Sequence, residues 1–240
     1  MNLLLFEPGE LSGGRVVIAD RRAHHLRTVL GVQIGDPVRV GELGGRVGTA
    51  RIVNDDGSAY TLEVALDGAP SQPWDVELVL AVPRPKVITR TLEIAASFAV
   101  KRIELTNAWR VDKSYLRSPR LDPQAMALAA RFGAEQGATT HIPAITLHDR
   151  LMALLDERFA APGGLRLVAH PSAPPIEKAV SRACPTVLAI GPEGGWIERE
   201  LETLVARGFT PVSIGAPILR VEAAVASALG QLGLLQRLRG

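Results

Sequence analysis

Ala189-Ile190-Gly191-Pro192-Glu193-Gly194-Gly195-Trp196 is the stretch on which the fold reading turns. The apolar run before it, Thr186-Val187-Leu188-Ala189-Ile190, has the β-branched character of a buried strand. A helix is expected after it, over residues 197–207. Between the two stands a glycine-rich turn. Glycines at a strand-to-helix junction let backbone groups approach a ligand closely. The C-terminal ends of strands in α/β sheets are where ligands bind. A tight turn alone needs the glycines but not Glu193, so the carboxylate points to a site. A second junction follows in Ile214-Gly215-Ala216-Pro217-Ile218-Leu219-Arg220-Val221-Glu222. There the chain leaves a strand at 211–214, crosses a Gly/Pro loop and enters a helix over 220–238. Arg220 and Glu222 stand at its entrance, where a cation and a carboxylate can hold a charged group or manage a proton. The bland alternative is a surface ion pair contributing about 0–1 kcal/mol.

Working outward, residues 76–214 alternate strands with helices. Strands are expected at 78–82, 103–105 and 165–168, and helices near 87–99, 122–136 and 148–159. That alternation predicts an α/β domain with a mainly parallel sheet. The first 70 residues differ. Short β-prone runs at 16–18, 37–40, 46–53 and 60–66 are separated by Gly44-Gly45 and Asp55-Asp56-Gly57. Met1 to Phe6 reads as a further strand. One helix is expected from Asp20 as N-cap to about Leu30, stopped by Gly31. Residues 68–73 read as a linker. Two domains follow: a small β-barrel over 1–70 and an α/β domain over 73–240.

The chain has 240 residues, 47% of them hydrophobic and 22% charged, enough apolar material for a substantial core. A net charge of +2 permits an anionic partner without demanding one. The one cysteine, Cys184, cannot form an intrachain disulfide, and the chain is expected to be cytoplasmic. Cys184 itself is expected to be a small packed side chain. Met1 to Phe6 lacks a basic flank and ends at Glu7-Pro8, so no targeting signal is expected. No run approaches a membrane span. The five histidines have no cysteine partners, so no metal site is expected. Phosphate-loop, dinucleotide and nucleophile-elbow motifs are all missing.

Between Arg84 and Arg120 stand nine Lys or Arg residues against three acids, with Trp109 and Tyr115 among them. Cations meet phosphates and flat rings stack on unpaired bases, so this stretch suits RNA. A solvated face explains it equally well. Arg21, Arg22, His25 and Arg27 on the first helix form a second basic group. The expected RNA contacts are these four with Arg84, Lys86 and Lys113. The neighbouring His24 and His25 point in different directions on a helix, so one ring should be packed and one exposed.

These motifs carry a resemblance over essentially the whole chain. Gly191-Pro192-Glu193-Gly194-Gly195, followed by Ile218-Leu219-Arg220-x-Glu222, resembles the 16S ribosomal RNA uridine-N3 methyltransferases (the RsmE family). These belong to the SPOUT methyltransferases. Ala23-His24-His25-Leu26-x-x-Val29-Leu30, Ala134-Glu135-Gln136 and His170-Pro171 are similar to the same family. The resemblance implies a PUA-like RNA-binding β-barrel, a SPOUT trefoil-knot domain, a homodimer and S-adenosylmethionine as cofactor. It puts the adenosine against three loops: Ala169 and His170; Ile190, Gly191, Pro192, Glu193, Gly194 and Gly195; and Ile214, Gly215, Pro217, Ile218 and Leu219. Arg220 and Glu222 become the expected catalytic pair, with small-subunit ribosomal RNA as substrate. The pattern departs at Ile197, where the family usually caps the helix with Ser or Thr, a loss of roughly 1 kcal/mol. It departs again at Asn107-Ala108-Trp109, where the family has Ser/Thr-Glu-Arg. Another SPOUT base or ribose 2′-O methylation, or a non-catalytic RNA-binding role in ribosome assembly, are the alternatives.

Overall fold

A computed structural model of the chain describes residues 2–161 and 163–240. They form two compact units. One holds the chain up to Gln72 together with Arg131–Ile142; the other holds Pro73–Ala130 and Pro143–Gly240.

The first unit is built on strands β1 (Leu4–Phe6), β2 (Arg15–Ile18), β3 (Pro37–Glu42), β4 (Val47–Asp55) and β5 (Tyr60–Ala65). Their order is β1-β3-β4-β5-β2, with β1 parallel to β3 and the other pairs antiparallel. The sheet curls as a half-barrel. Its inner face follows the period of two: Val16 and Ile18 on β2, and Val38 and Val40 on β3, are buried, while Arg15, Val17, Pro37 and Arg39 are exposed. Phe6, Leu26, Ile52, Tyr60 and Leu62 complete that core. Gly41 to Gly48 is a β3–β4 hairpin, and Gly44 at φ 67° takes the left-handed position of its turn. Helix α1 (Arg21–His25) starts as expected, with the Asp20 carboxylate accepting the Arg22 N–H at 2.8 Å. It continues as a π-helical turn over Leu26–Leu30 and stops at Gly31, φ 61°.

Arg131–Ile142 was expected to belong to the α/β domain. It packs in the first unit because Leu3 and Leu5 bury against Ala134, while the Glu135 carbonyl accepts the N–H groups of Asn2 and Leu3, both at 3.0 Å.

The second unit holds β6 (Trp74–Ala81), α2 (Pro85–Ser97), β7 (Val100–Thr106), most of α3 (Pro123–Gly137), β8 (Ala144–His148), α4 (Leu151–Arg158), β9 (Leu165–Ala169), β10 (Thr186–Ile190), α5 (Glu198–Ala206), β11 (Thr210–Val212) and α6 (Val221–Arg239). The six strands are parallel throughout, in the order β11-β9-β10-β6-β7-β8. The second half of β6, Leu78 to Ala81, and β10 from Val187 are continuously apolar, as suits a parallel sheet covered on both faces. Strand β8 was not expected, since it is a half-exposed edge with little hydrophobic pattern. β11 ends two residues earlier than expected, at Val212, and the chain turns there into the loop that carries the second motif.

Helix α6 buries Val221, Ala224, Val225, Ala228, Leu229, Leu232 and Leu235, one stripe at helical spacing. A second stripe of Ala223, Ala226, Ser227, Gly230 and Leu234 is exposed or half-exposed. No helix is long and apolar enough to cross a membrane among the described residues.

Candidate functional site

The chain order of the sheet diverges at β6, whose neighbours are β7 on one side and β10 on the other. Beyond the C-terminal ends of β9, β10 and β11 lies a cavity of about 350 Å³. That is the lower part of the range for small-molecule sites. Three loops line it: Ala169 to Ser172 after β9, Ile190 to Trp196 after β10, and Ile214 to Leu219 after β11. Every residue expected to hold a cofactor is on its wall: Ala169, His170, Ile190, Gly191, Pro192, Glu193, Gly194, Gly195, Ile214, Gly215, Pro217, Ile218 and Leu219. The junctions legible in the sequence therefore meet in space.

The glycines have separable roles. Gly195 has φ 72°, a conformation that costs a side-chain-bearing residue free energy. Gly191 lies against the Trp196 ring; an added Cβ would stand 3.1 Å from the indole nitrogen. Gly194 keeps an ordinary φ, and a Cβ there would meet the Arg110 side chain at 3.0 Å.

Several contributors were missed in the sequence. Trp196, on the wall, is only 6% exposed, and its indole N–H is buried with no partner among the described residues. A buried donor left unpaired is costly, which fits a ligand acceptor in this cavity. Arg110 also lines the cavity, and its guanidinium donates to the Gly194 carbonyl. Glu193 has a scaffold role the sequence did not reveal. Its carboxylate accepts the Arg84 backbone N–H at 2.9 Å and so fixes the start of α2. Ile197 has no capping side chain, as expected, but the Glu200 carboxylate accepts the Ile197 N–H at 3.1 Å and restores half of a cap.

Arg220 is the N-cap of α6, exposed at the edge of the site between the wall residues Leu219 and Val221. Its carbonyl accepts the Ala224 N–H at 2.8 Å. Glu222 is half-buried in the first helical turn. Among the described residues the two side chains form no ion pair, so the surface-pair alternative does not hold.

The basic group on α1 requires correction. Arg22 is only 5% exposed and cannot reach a phosphate without unfolding. Its guanidinium donates to the Leu5 carbonyl at 2.9 Å and pairs with Glu10 and Asp20. Arg21 pairs with the buried Glu135 at 2.8 Å and lies over the Phe132 ring. Arg27 pairs with Asp55 at 2.7 Å and lies over Tyr60. Burial therefore takes Arg22 out of the cationic face, whereas Arg21 and Arg27 are paired but each 35% exposed. His24 is exposed and His25 half-buried. Burial lowers the His25 pKa from its ordinary 6.5, which keeps the ring neutral near pH 7. By contrast, Arg84, Lys86 and Lys113 of the second unit are exposed. No cluster of His, Cys, Asp and Glu able to hold a metal occurs among the described residues.

The model of the RNA methyltransferase domain family matches residues 70–233. A relative from Treponema pallidum (strain Nichols), Ribosomal RNA small subunit methyltransferase E, is 28% identical over 236 residues, 95% of this chain and 89% of that protein. A protein of the same name from Synechocystis is 29% identical over 244 residues, 97% of this chain and 77% of its own length. Among solved structures, a Ribosomal RNA small subunit methyltransferase E from Neisseria gonorrhoeae bound to S-adenosyl methionine matches with a TM-score of 0.77. Identity there is 22%, and 98% of each chain is covered. A protein from Legionella pneumophila, solved in complex with the bound cofactor SAM, gives a TM-score of 0.78 at 22% identity, with the same coverage. The family resemblance read from the motifs agrees with these relatives.

Proposed function

This chain belongs to the RNA methyltransferase domain family, and from that premise we propose that it methylates uridine N3 in 16S small-subunit ribosomal RNA, with S-adenosylmethionine as methyl donor. The observation that carries the cofactor half is the convergence of all thirteen expected residues on one cavity. Apolar walls at Ala169, Ile190, Ile214 and Leu219 suit an adenine, and the unpaired Trp196 N–H offers a donor. The substrate half rests on the relatives' names and on the shared motifs.

The cofactor, when bound, supplies a methyl group already activated on a sulfonium. The chain's own residues are left with positioning and proton management. Uridine N3 carries a proton and is a poor nucleophile until it leaves. Arg220, at the cavity mouth, stabilises the negative charge that then develops on the uracil carbonyls. Glu222 accepts the proton. That neither side chain engages the other supports this role for Glu222 over one of orienting Arg220. Arg84, Lys86 and Lys113 supply phosphate contacts.

The first unit acts as a PUA-like RNA-binding barrel, the second is trefoil-knotted, and the enzyme works in the cytoplasm. It is a homodimer joined through the second stripe of α6, whose small residues allow close helix approach. The deciding experiment incubates the protein with S-adenosylmethionine and either small-subunit particles or naked 16S RNA, then maps the product by mass spectrometry. 3-Methyluridine is expected. A methyl group on another base or on a ribose would overturn the assignment of position, and no transfer at all would overturn the activity.

A further inference from the structure

Trp109 stands out on the second unit because its backbone is tied down while its side chain touches little. It follows β7 by three residues, in the loop that also carries Arg110. The Trp109 N–H donates to Glu200 at 2.8 Å. The other oxygen of that carboxylate accepts the Ile197 N–H, so one side chain closes the start of α5 and holds this loop to it. Arg110 binds the Gly194 carbonyl of the cavity loop. Ala108 and Val111, on either side, are each only 6% exposed. The Trp109 ring is nevertheless 79% exposed, whereas Trp196 is 6% exposed. It makes no ring-stacking or cation–π contact among the described residues.

An indole is a large apolar surface to leave in water. One mounted on a backbone fixed at several points loses little freedom when a flat partner lies on it. We propose that Trp109 is a stacking platform for an unpaired nucleobase of the substrate RNA, at the rim of the cavity that Arg110 helps to wall. Arg110 beside it, and the exposed Lys113 four residues on, are suited to the phosphates flanking such a base. An unpaired base presents its face, as bases inside a duplex do not, so the platform selects single-stranded or splayed RNA. This inference rests on the RNA methyltransferase reading and names a residue that recognises its substrate.

The test measures binding of a fluorescent 12-nucleotide oligouridine to the full-length protein and to Trp109→Phe and Trp109→Ala. S-adenosylmethionine affinity is measured on all three by calorimetry. Trp109→Ala should bind the oligomer roughly tenfold more weakly, from the usual contribution of one base–aromatic stack. Trp109→Phe should stay within about threefold of wild type, because it keeps an aromatic face. All three should bind the cofactor alike and show the same salt dependence, since stacking releases no counterions. Trp109→Ala binding the oligomer as wild type does would overturn the proposal, leaving the RNA methyltransferase reading untouched. Loss of self-association in Trp109→Ala by sedimentation would also overturn it, because the ring would then be a contact between copies. Wild type that binds neither oligomer nor cofactor would instead remove the reading beneath it.

Discussion

Replacing Arg22 by Met should destabilise the first unit and leave RNA binding intact. Methionine keeps an apolar stem of similar reach but removes every donor. The guanidinium makes a bond to the Leu5 carbonyl, a bidentate pair with Glu10 and a pair with Asp20. The Leu5 carbonyl keeps a second donor from Arg131 at 2.7 Å, so losing Arg22 costs it about 1 kcal/mol rather than a full desolvation penalty. Glu10 has a side chain 28% exposed and loses two charged bonds, about 1–2 kcal/mol. Asp20, at 55% exposure, contributes at most a few tenths after solvent screening. The sum is about 2–3 kcal/mol, which for a unit of this size lowers Tm by roughly 8–24 °C. A pH series gives a second check. Hydrogen bonds from Arg22 hold the Glu10 carboxyl below its ordinary value of 4.5, against burial that would raise it. A carboxyl whose folded pKa is lowered stabilises at pH above its ordinary pKa, and the contribution is lost as pH falls through the folded value. Calorimetric scans between pH 7 and 3 should therefore show the two proteins converging at the acid end. The reasoning is refuted if Arg22→Met unfolds as wild type does yet loses RNA affinity, for that would make Arg22 a phosphate contact.

Four further changes separate the turn, the chemistry and the helix contact. Gly195→Ala places a Cβ at φ 72° with no clash within 4 Å, a strain of about 1–2 kcal/mol, so Tm should fall by roughly 2–8 °C. Gly194→Ala, at an ordinary φ, carries no backbone strain and asks the Arg110 side chain, with Cδ at 3.0 Å and Cβ at 3.3 Å, to give by a few tenths of an ångström, so it should cost less; the reverse ranking by thermal denaturation would show that this turn geometry is wrong. Arg220→Ala should abolish methyl transfer while calorimetry finds cofactor affinity unchanged, and full activity would remove Arg220 from the chemistry. Ala226→Glu puts a charge on the second stripe of α6, where burial in a contact without a partner is expensive. Sedimentation should find it monomeric, and a wild type that is itself monomeric at micromolar concentration would exclude the dimer.

What could be read in the sequence divides by how far a residue's partner lies along the chain. Helix α1 was legible at both ends because its signals are local: Asp20 bonds an N–H two residues on, and Gly31 supplies a left-handed stop. The cavity loops were legible for the same reason. Glycine and proline between a strand and a helix constrain the backbone wherever the loop ends up. Arg21 shows the opposite case. Its partner Glu135 is 114 positions away, and nothing near Arg21 distinguishes a guanidinium bound for solvent from one bound for that carboxylate. Arg110 escaped similarly, since it reaches the cavity wall through a bond to the Gly194 carbonyl, 84 positions on; Trp196 stood inside the quoted motif, but nothing local showed that its indole N–H would be buried. β8 was missed because an edge strand needs neither alternation nor a continuous apolar run. Glu193 belongs to both groups. Its position among turn glycines marked it, yet the partner of its carboxylate is the Arg84 N–H, 109 positions earlier. A carboxylate there lines the cavity and also holds the start of α2, so a Glu193 variant that loses cofactor affinity would not by itself prove ligand contact. Glu193→Gln, which keeps the acceptor for Arg84 and removes the charge, isolates the electrostatic share.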